Sequence, residues 1–171
     1  GIWVNLYGSN TFETNLKDAG LVKLKQTSGY PWDGNVKIEI LKGSKMEFSI
    51  NLRIPGWCKG AKIKLNGKPV ELNLDSEQYF AINAKWNAGD VIELEMPMSV
   101  RMIESNPLVE ETRNQVTLMR GPIVYCLESI DLPENVKIED VVIPIASEFK
   151  PVETVIDGSP VVMLEGEAFV N

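Results

Sequence analysis

The sequence predicts an all-β fold: an antiparallel β-sandwich, jelly-roll-like or Ig-like, followed by a second, partial β-sandwich, with few or no long helices. Three observations carry this. Apolar and polar residues alternate with period two in several short runs, turn-forming residues interrupt those runs at short intervals, and nowhere does a 3.6-residue apolar period persist over three turns. Alternation gives each strand one apolar face, so the layers must be sheet on sheet.

Taken in order, Thr11–Gly20 carries too few apolar residues, Phe12, Leu16 and Ala19, to decide between a short helical turn and a loop. Val22-Lys23-Leu24-Lys25 and Val36-Lys37-Ile38-Glu39-Ile40 read as half-buried strands, separated by the Asp33-Gly34 turn and closed by Lys42-Gly43-Ser44. Asn66-Gly67 joins Lys62–Leu65 to Pro69–Leu72 as a two-residue type I′ hairpin, a turn that needs positive φ at both central positions. Ala88-Gly89-Asp90 leads into Val91–Met96, and a strand at Ser99–Ile103 follows. Ser105-Asn106-Pro107 and the polar run Glu110-Glu111-Thr112-Arg113-Asn114 then mark a boundary, giving modules at residues 1–105 and 106–171.

Beyond the boundary, Gln115–Glu128 is a long strand candidate interrupted by Gly121-Pro122, which suits an edge or a bulge. The remaining candidates, Gln115–Met119, Ile123–Leu127, Val136–Ile145 and Val161–Leu164, are too few to cover two faces. The second module is therefore expected to be truncated or to complete its sheets against the first. Ala168-Phe169-Val170-Asn171 ends without a polar tail, as a cut inside a larger protein would.

Composition excludes several classes. With 171 residues and 44% hydrophobic content the chain can bury a core, so disorder is not expected. No apolar run reaches membrane-spanning length, and a net charge of −7 with lysines spaced singly on strands offers no basic stripe to a nucleic acid. The absence of histidine removes the Ser-His-Asp triad, the Cys-His pair and every His-based metal site. Cys58 and Cys126 lack metal-ligand spacing and read as plain buried or semi-buried thiols, with a disulfide left open pending geometry. No cofactor and no metal are expected, and the compartment is left open.

Five motifs in order, Tyr30-Pro31-Trp32-Asp33-Gly34, Arg53-Ile54-Pro55-Gly56-Trp57, Leu65-Asn66-Gly67-Lys68, Trp86-Asn87-Ala88-Gly89-Asp90-Val91 and Arg120-Gly121-Pro122, span nearly the whole chain. They resemble the region after the catalytic barrel in glycoside hydrolase family 127, the β-L-arabinofuranosidase-like family. The resemblance implies a parent enzyme with an N-terminal (α/α)6 barrel and two β-sandwich modules, of which this chain corresponds to the middle one and much of the last. It also implies that the cysteine nucleophile, the glutamate acid/base and a cysteine-rich zinc site lie in the barrel. None of those motifs is matched by Cys58 or Cys126, so no catalytic residue is carried over, and the chain by itself is not expected to be an enzyme.

Candidate binding residues are Tyr30, Trp32 and Trp57, whose flanking Pro and Gly place their rings at strand ends or loops. There they either stack on the apolar face of a sugar or close the ends of the sandwich and pack on the barrel. Trp86 reads as a core or corner residue. The carboxylate pairs Glu93/Glu95, Glu110/Glu111 and Glu165/Glu167 are set against the two carboxyl groups that glycoside hydrolysis needs. Glu93 and Glu95 share a solvated strand face, and Glu110-Glu111 beside Arg113 reads as a salt-bridged linker or an interface with the barrel. Asp33, Asn35, Asp75 and Asp90 are oxygen donors without calcium-loop spacing. Arg120 reads as a donor to neighbouring carbonyls. Three functions compete: an accessory region that supports the barrel or dimerises, a carbohydrate-binding module, and a catalytic domain in its own right.

Overall fold

The computed structural model describes residues 1–72 and 78–170. The chain divides into two compact units, Gly1–Met98 and the residues from Ser99 onward.

In the first unit the strands are β1 (Ile2–Val4), β2 (Asn10–Leu16), β3 (Gly20–Ser28), β4 (Asn35–Lys42), β5 (Phe48–Arg53), β6 (Lys62–Leu65), β7 (Lys68–Val70), β8 (Tyr79–Ala84) and β9 (Val91–Glu95). They form a six-stranded sheet ordered β2-β3-β4-β9-β6-β7 and a three-stranded sheet ordered β1-β5-β8. All neighbours are antiparallel except β1, which lies parallel to β5.

Alternation explains how the sheets face each other. Val22 and Leu24 of β3, Val36, Ile38 and Ile40 of β4, and Ile92 and Leu94 of β9 meet Phe48, Ile50 and Leu52 of β5 and Ile82 of β8 in one buried cluster. On β3, β4 and β9 their intervening neighbours point outward. This is the expected sandwich core, each buried aliphatic side chain contributing about 1.5–3 kcal/mol. Trp86 closes it at 1% exposure, its indole N–H donating to the Phe48 carbonyl at 3.0 Å. The two buried polar side chains of this unit are satisfied: Gln26 Nε2 donates to the carbonyls of Leu6 and Gly8, and Asn51 Nδ2 to that of Ile2.

Turn chemistry fixes the register. Asn66 and Gly67 have φ of 52° and 76°, as a type I′ hairpin between β6 and β7 requires. Gly34 admits no side chain, because a Cβ there would strike the Met96 carbonyl, while its own carbonyl accepts the Met96 N–H at 2.9 Å. The segment left between helical turn and loop is neither. Asn10–Leu16 is the edge strand β2, paired residue by residue with β3 from Asn10↔Gln26 to Leu16↔Gly20. Asp18 and Gly20, both at positive φ, reverse the chain. Pairing decides the conformation here, and an edge strand with one covered side needs few apolar residues.

The second unit contains β10 (Val100–Glu104), β11 (Val116–Arg120), β12 (Ile123–Tyr125), β13 (Val141–Val142), β14 (Lys150–Ile156), β15 (Ser159–Glu165) and β16 (Phe169–Val170). They make a three-stranded sheet β10-β11-β12, a β14-β15 hairpin and a β13-β16 pair. Strand β10, which the sequence puts ahead of the boundary, pairs along its whole length with β11 and so belongs to this unit. Gly121-Pro122 is a hairpin turn between β11 and β12 rather than a bulge in one long strand. Most of Val136–Ile145 is not strand: a 3-10 turn at Ile138–Asp140 precedes the two residues of β13. Among the described residues, Val162 is the only buried apolar side chain beyond Met98, while Leu108, Ile130 and Ile145 are almost fully exposed.

Stability should therefore track the first unit's core. Ile50→Ala, at a fully buried position, is expected to lower the unfolding free energy by about 2–5 kcal/mol. Ile145→Ala should change it by less than about 0.5 kcal/mol. Denaturant midpoints measure both.

Candidate functional site

The three rings singled out in the sequence lie in loops of the first unit. Tyr30 and Trp32 sit between β3 and β4, where the backbone N–H groups of Trp32 and Asp33 both donate to the Gly29 carbonyl. Trp57 sits in the turn after β5, which the Cys58 N–H closes on the Pro55 carbonyl at 2.9 Å. All three side chains are half-buried. Tyr30 and Trp57 pack against the core cluster, so part of each ring serves the fold.

Around Tyr30 the structure assembles a group that sequence reading does not find. Tyr7, 2% exposed, meets Tyr30 edge to face with ring centroids 6.1 Å apart, and its hydroxyl donates to the Arg53 carbonyl at 2.6 Å. Arg53 of β5 stands opposite Tyr79 of β8, and the Tyr79 hydroxyl donates to Asn5 Oδ1 at 2.8 Å. Burial raises the pKa of the Tyr7 hydroxyl, against the lowering effect of the Arg53 charge, with Tyr30 and Tyr79 pushing it up further. Burial also raises that of Tyr30, again opposed by Arg53. Both phenols stay neutral at physiological pH. Tyr7 stands alone between Leu6 and Gly8 in no alternating run, so periodicity gives it no signal.

Glycosidase chemistry needs two carboxyl groups across a cleft, and two of the pairs are instead engaged at the surface, while Glu165 and Glu167 are both exposed. Glu93 and Glu95 point outward from β9, where Glu95 pairs with Lys62 at 3.4 Å. Glu110 opens a 3-10 turn and pairs with Arg113 at 3.3 Å. Among the described residues no three His, Cys, Asp or Glu side chains converge. Asp33 Oδ1 caps the Asn35 N–H at 2.6 Å, and Asp90 accepts from the Asn87 N–H and from Asn66 Nδ2. Asp75 lies outside the described residues.

The cysteines are free and differ in setting. Cys58 is buried, whereas Cys126 is exposed and not the buried or semi-buried thiol expected of it. Burial raises the Cys58 pKa, only partly offset by a hydrogen bond to the Ala61 backbone and the Lys59 charge. The thiol, not the nucleophilic thiolate, is therefore its form at neutral pH. At the Arg120-Gly121-Pro122 turn, the donor to the Gly121 carbonyl is Arg101, through Nη2 at 2.9 Å.

Two family models match this chain. One, described as beta-L-arabinofuranosidase, GH127 middle domain, covers residues 1–98, and the other, glycoside hydrolase family 127 C-terminal domain, covers residues 100–163. A non-reducing end beta-L-arabinofuranosidase of Bifidobacterium longum subsp. longum is 39% identical over 133 residues, 73% of this chain and 20% of that protein. A solved glycoside hydrolase superposes with a TM-score of 0.92 at 46% identity, over 98% of this chain and 28% of its own. A GH127 beta-L-arabinofuranosidase from Geobacillus stearothermophilus T6 gives 0.87 at 33% identity, over 97% and 26%. The chain thus spans less than a third of the length of these relatives.

The buried tyrosine makes a pH-dependent contribution. Tyr7→Phe leaves the Arg53 carbonyl without its donor and is expected to cost about 1–2 kcal/mol at neutral pH. Because the folded pKa of Tyr7 lies above the ordinary value of 10.0, its contribution is complete below that pH. It is lost as pH rises and the unfolded chain ionises first. Urea titrations between pH 8 and 11 should show the wild type losing stability more steeply than Tyr7→Phe.

Proposed function

Because the chain belongs to glycoside hydrolase family 127, we propose that it is the non-catalytic β-sandwich region of a β-L-arabinofuranosidase-like glycoside hydrolase. Its role is to support the catalytic barrel of the same parent chain. The observation that carries this reading is the mismatch between apolar surface and core beyond Met98. Leu108, Ile130 and Ile145 are 87%, 86% and 86% exposed in a unit whose one buried apolar side chain, among the described residues, is Val162. Packing these side chains against the barrel of the parent would supply the apolar interior that the unit lacks. The match to middle and C-terminal domain models, over a chain spanning a fifth of a curated relative, supports the same reading. We further propose the two units as the two sandwich modules.

A second reading, carbohydrate binding through Tyr30, Trp32 and Trp57, draws support from the partial exposure of all three rings in loops of the first unit. A homodimer that covers the apolar surface of the second unit is the remaining form of the accessory role.

Three measurements separate these readings. The purified chain should release no nitrophenol from an aryl β-L-arabinofuranoside above background; turnover would overturn the proposal. Residues 99–171 expressed alone should bind a hydrophobic dye and unfold without a cooperative transition, while residues 1–98 unfold cooperatively. Cooperative unfolding of residues 99–171 as a monomer would remove the reason for a covering barrel. Saturable arabinose binding lost in Trp32→Ala or Trp57→Ala would move the assignment to the carbohydrate-binding reading.

A further inference from the structure

The outer face of the six-stranded sheet carries a groove of about 340 Å³ with no aromatic side chain in its lining. Register places Thr27, Lys37, Glu93 and Lys64 in one row across β3, β4, β9 and β6, all exposed. Asn35, Glu95 and Lys62 make a second row beside it. Three inter-strand gaps span about 14 Å, the reach of a short oligosaccharide.

The charges on this face are not all consumed by one another. Lys37 pairs with Glu39 at 3.8 Å and Lys62 with Glu95 at 3.4 Å. Lys64 and Glu93, although directly opposite, form no ion pair among the described residues. The acidity of the chain does not reside in this unit: residues 1–98 hold 12 basic and 11 acidic side chains, against 5 and 13 in residues 99–171.

We propose that this groove binds an acidic oligosaccharide, a sugar chain bearing uronic-acid carboxylates. The donor and acceptor inventory selects that class. The Lys64 ammonium, which forms no ion pair among the described residues, only donates and requires an anionic or oxygen acceptor, while Glu93 only accepts and requires a hydroxyl donor. Thr27 and Asn35 serve either need. A phosphorylated ligand satisfies Lys64 but concentrates nearly two charges on one group beside two carboxylates, and a neutral sugar leaves Lys64 with hydroxyls alone and no ring to stack on. Carboxylates of one charge each, spaced along a polyol, meet both needs. The inference does not rest on the accessory role and fails separately from it.

The test is a backbone amide NMR titration of the 171-residue chain with trigalacturonate, neutral galactotriose and inorganic phosphate. The expected result is saturable shifts at Thr27, Lys37, Lys64 and Glu93 with trigalacturonate only, weakened about threefold to fivefold in Lys64→Gln. Raising the salt to about 0.5 M should weaken binding further. Lys64→Gln is an exposed change, and an unaltered amide spectrum elsewhere shows that it folds. Absence of shifts at these four residues, equal binding of galactotriose or of phosphate, or an unchanged affinity in Lys64→Gln would each overturn the proposal.

Discussion

The closure of the three-stranded sheet over the six-stranded one is the interaction on which the rest of residues 1–98 depends. Val22, Ile38, Ile40 and Ile92 present one apolar surface, and Ile50, Leu52 and Ile82 present the other. Neither sheet has an alternative way to remove that surface from water. Once they close, the alternate residues of β3, β4, β6 and β9 are forced outward, which sets Lys37, Lys64 and Glu93 on one face, while register puts Arg53 opposite Tyr79 on the other sheet. Chemistry at the surface of this unit is thus a consequence of parity along the strands. A one-residue slip in β9 would exchange Glu93 for Ile92 or Leu94.

The ends of the sandwich are sealed differently. There side chains donate to main-chain carbonyls: Trp86 to Phe48 and Tyr7 to Arg53, the first and last residues of β5, and Gln26 to Leu6 and Gly8 between β1 and β2. Each is a large or polar side chain drawn inward because a carbonyl there needs a donor. The rings at this end do structural work first. Any ligand meets Tyr30 and Trp57 only through the part of each ring that the core leaves uncovered.

The class of fold was legible because its signal is local. Strands such as Val36–Ile40 and Val91–Met96 announce themselves by alternation, and Asn66-Gly67 by its turn chemistry. What escaped was decided by partners distant in sequence. Asn10–Leu16 is a strand because β3 pairs with it, and the Tyr7, Tyr30, Arg53 and Tyr79 group is assembled from four separate segments. The boundary of the units shows the same limit, since Ser105-Asn106-Pro107 looks like a linker whereas β10 answers to its pairing with β11. Lysines that stand singly along the sequence gather on one sheet face only when register is known. Family resemblance, by contrast, was readable from five spaced motifs, and the relatives bear it out.

The two units therefore differ in kind: one carries a closed core, while the other has strands and apolar side chains without a comparable interior. Its Leu108, Ile130 and Ile145 stand exposed rather than in a core. Native-state hydrogen exchange on the intact chain tests this contrast most directly. The account predicts that the slowest amides all lie in β3, β4, β5 and β9, while those of β10 to β16 exchange through openings of much lower free energy. Equal protection in the two units would contradict it.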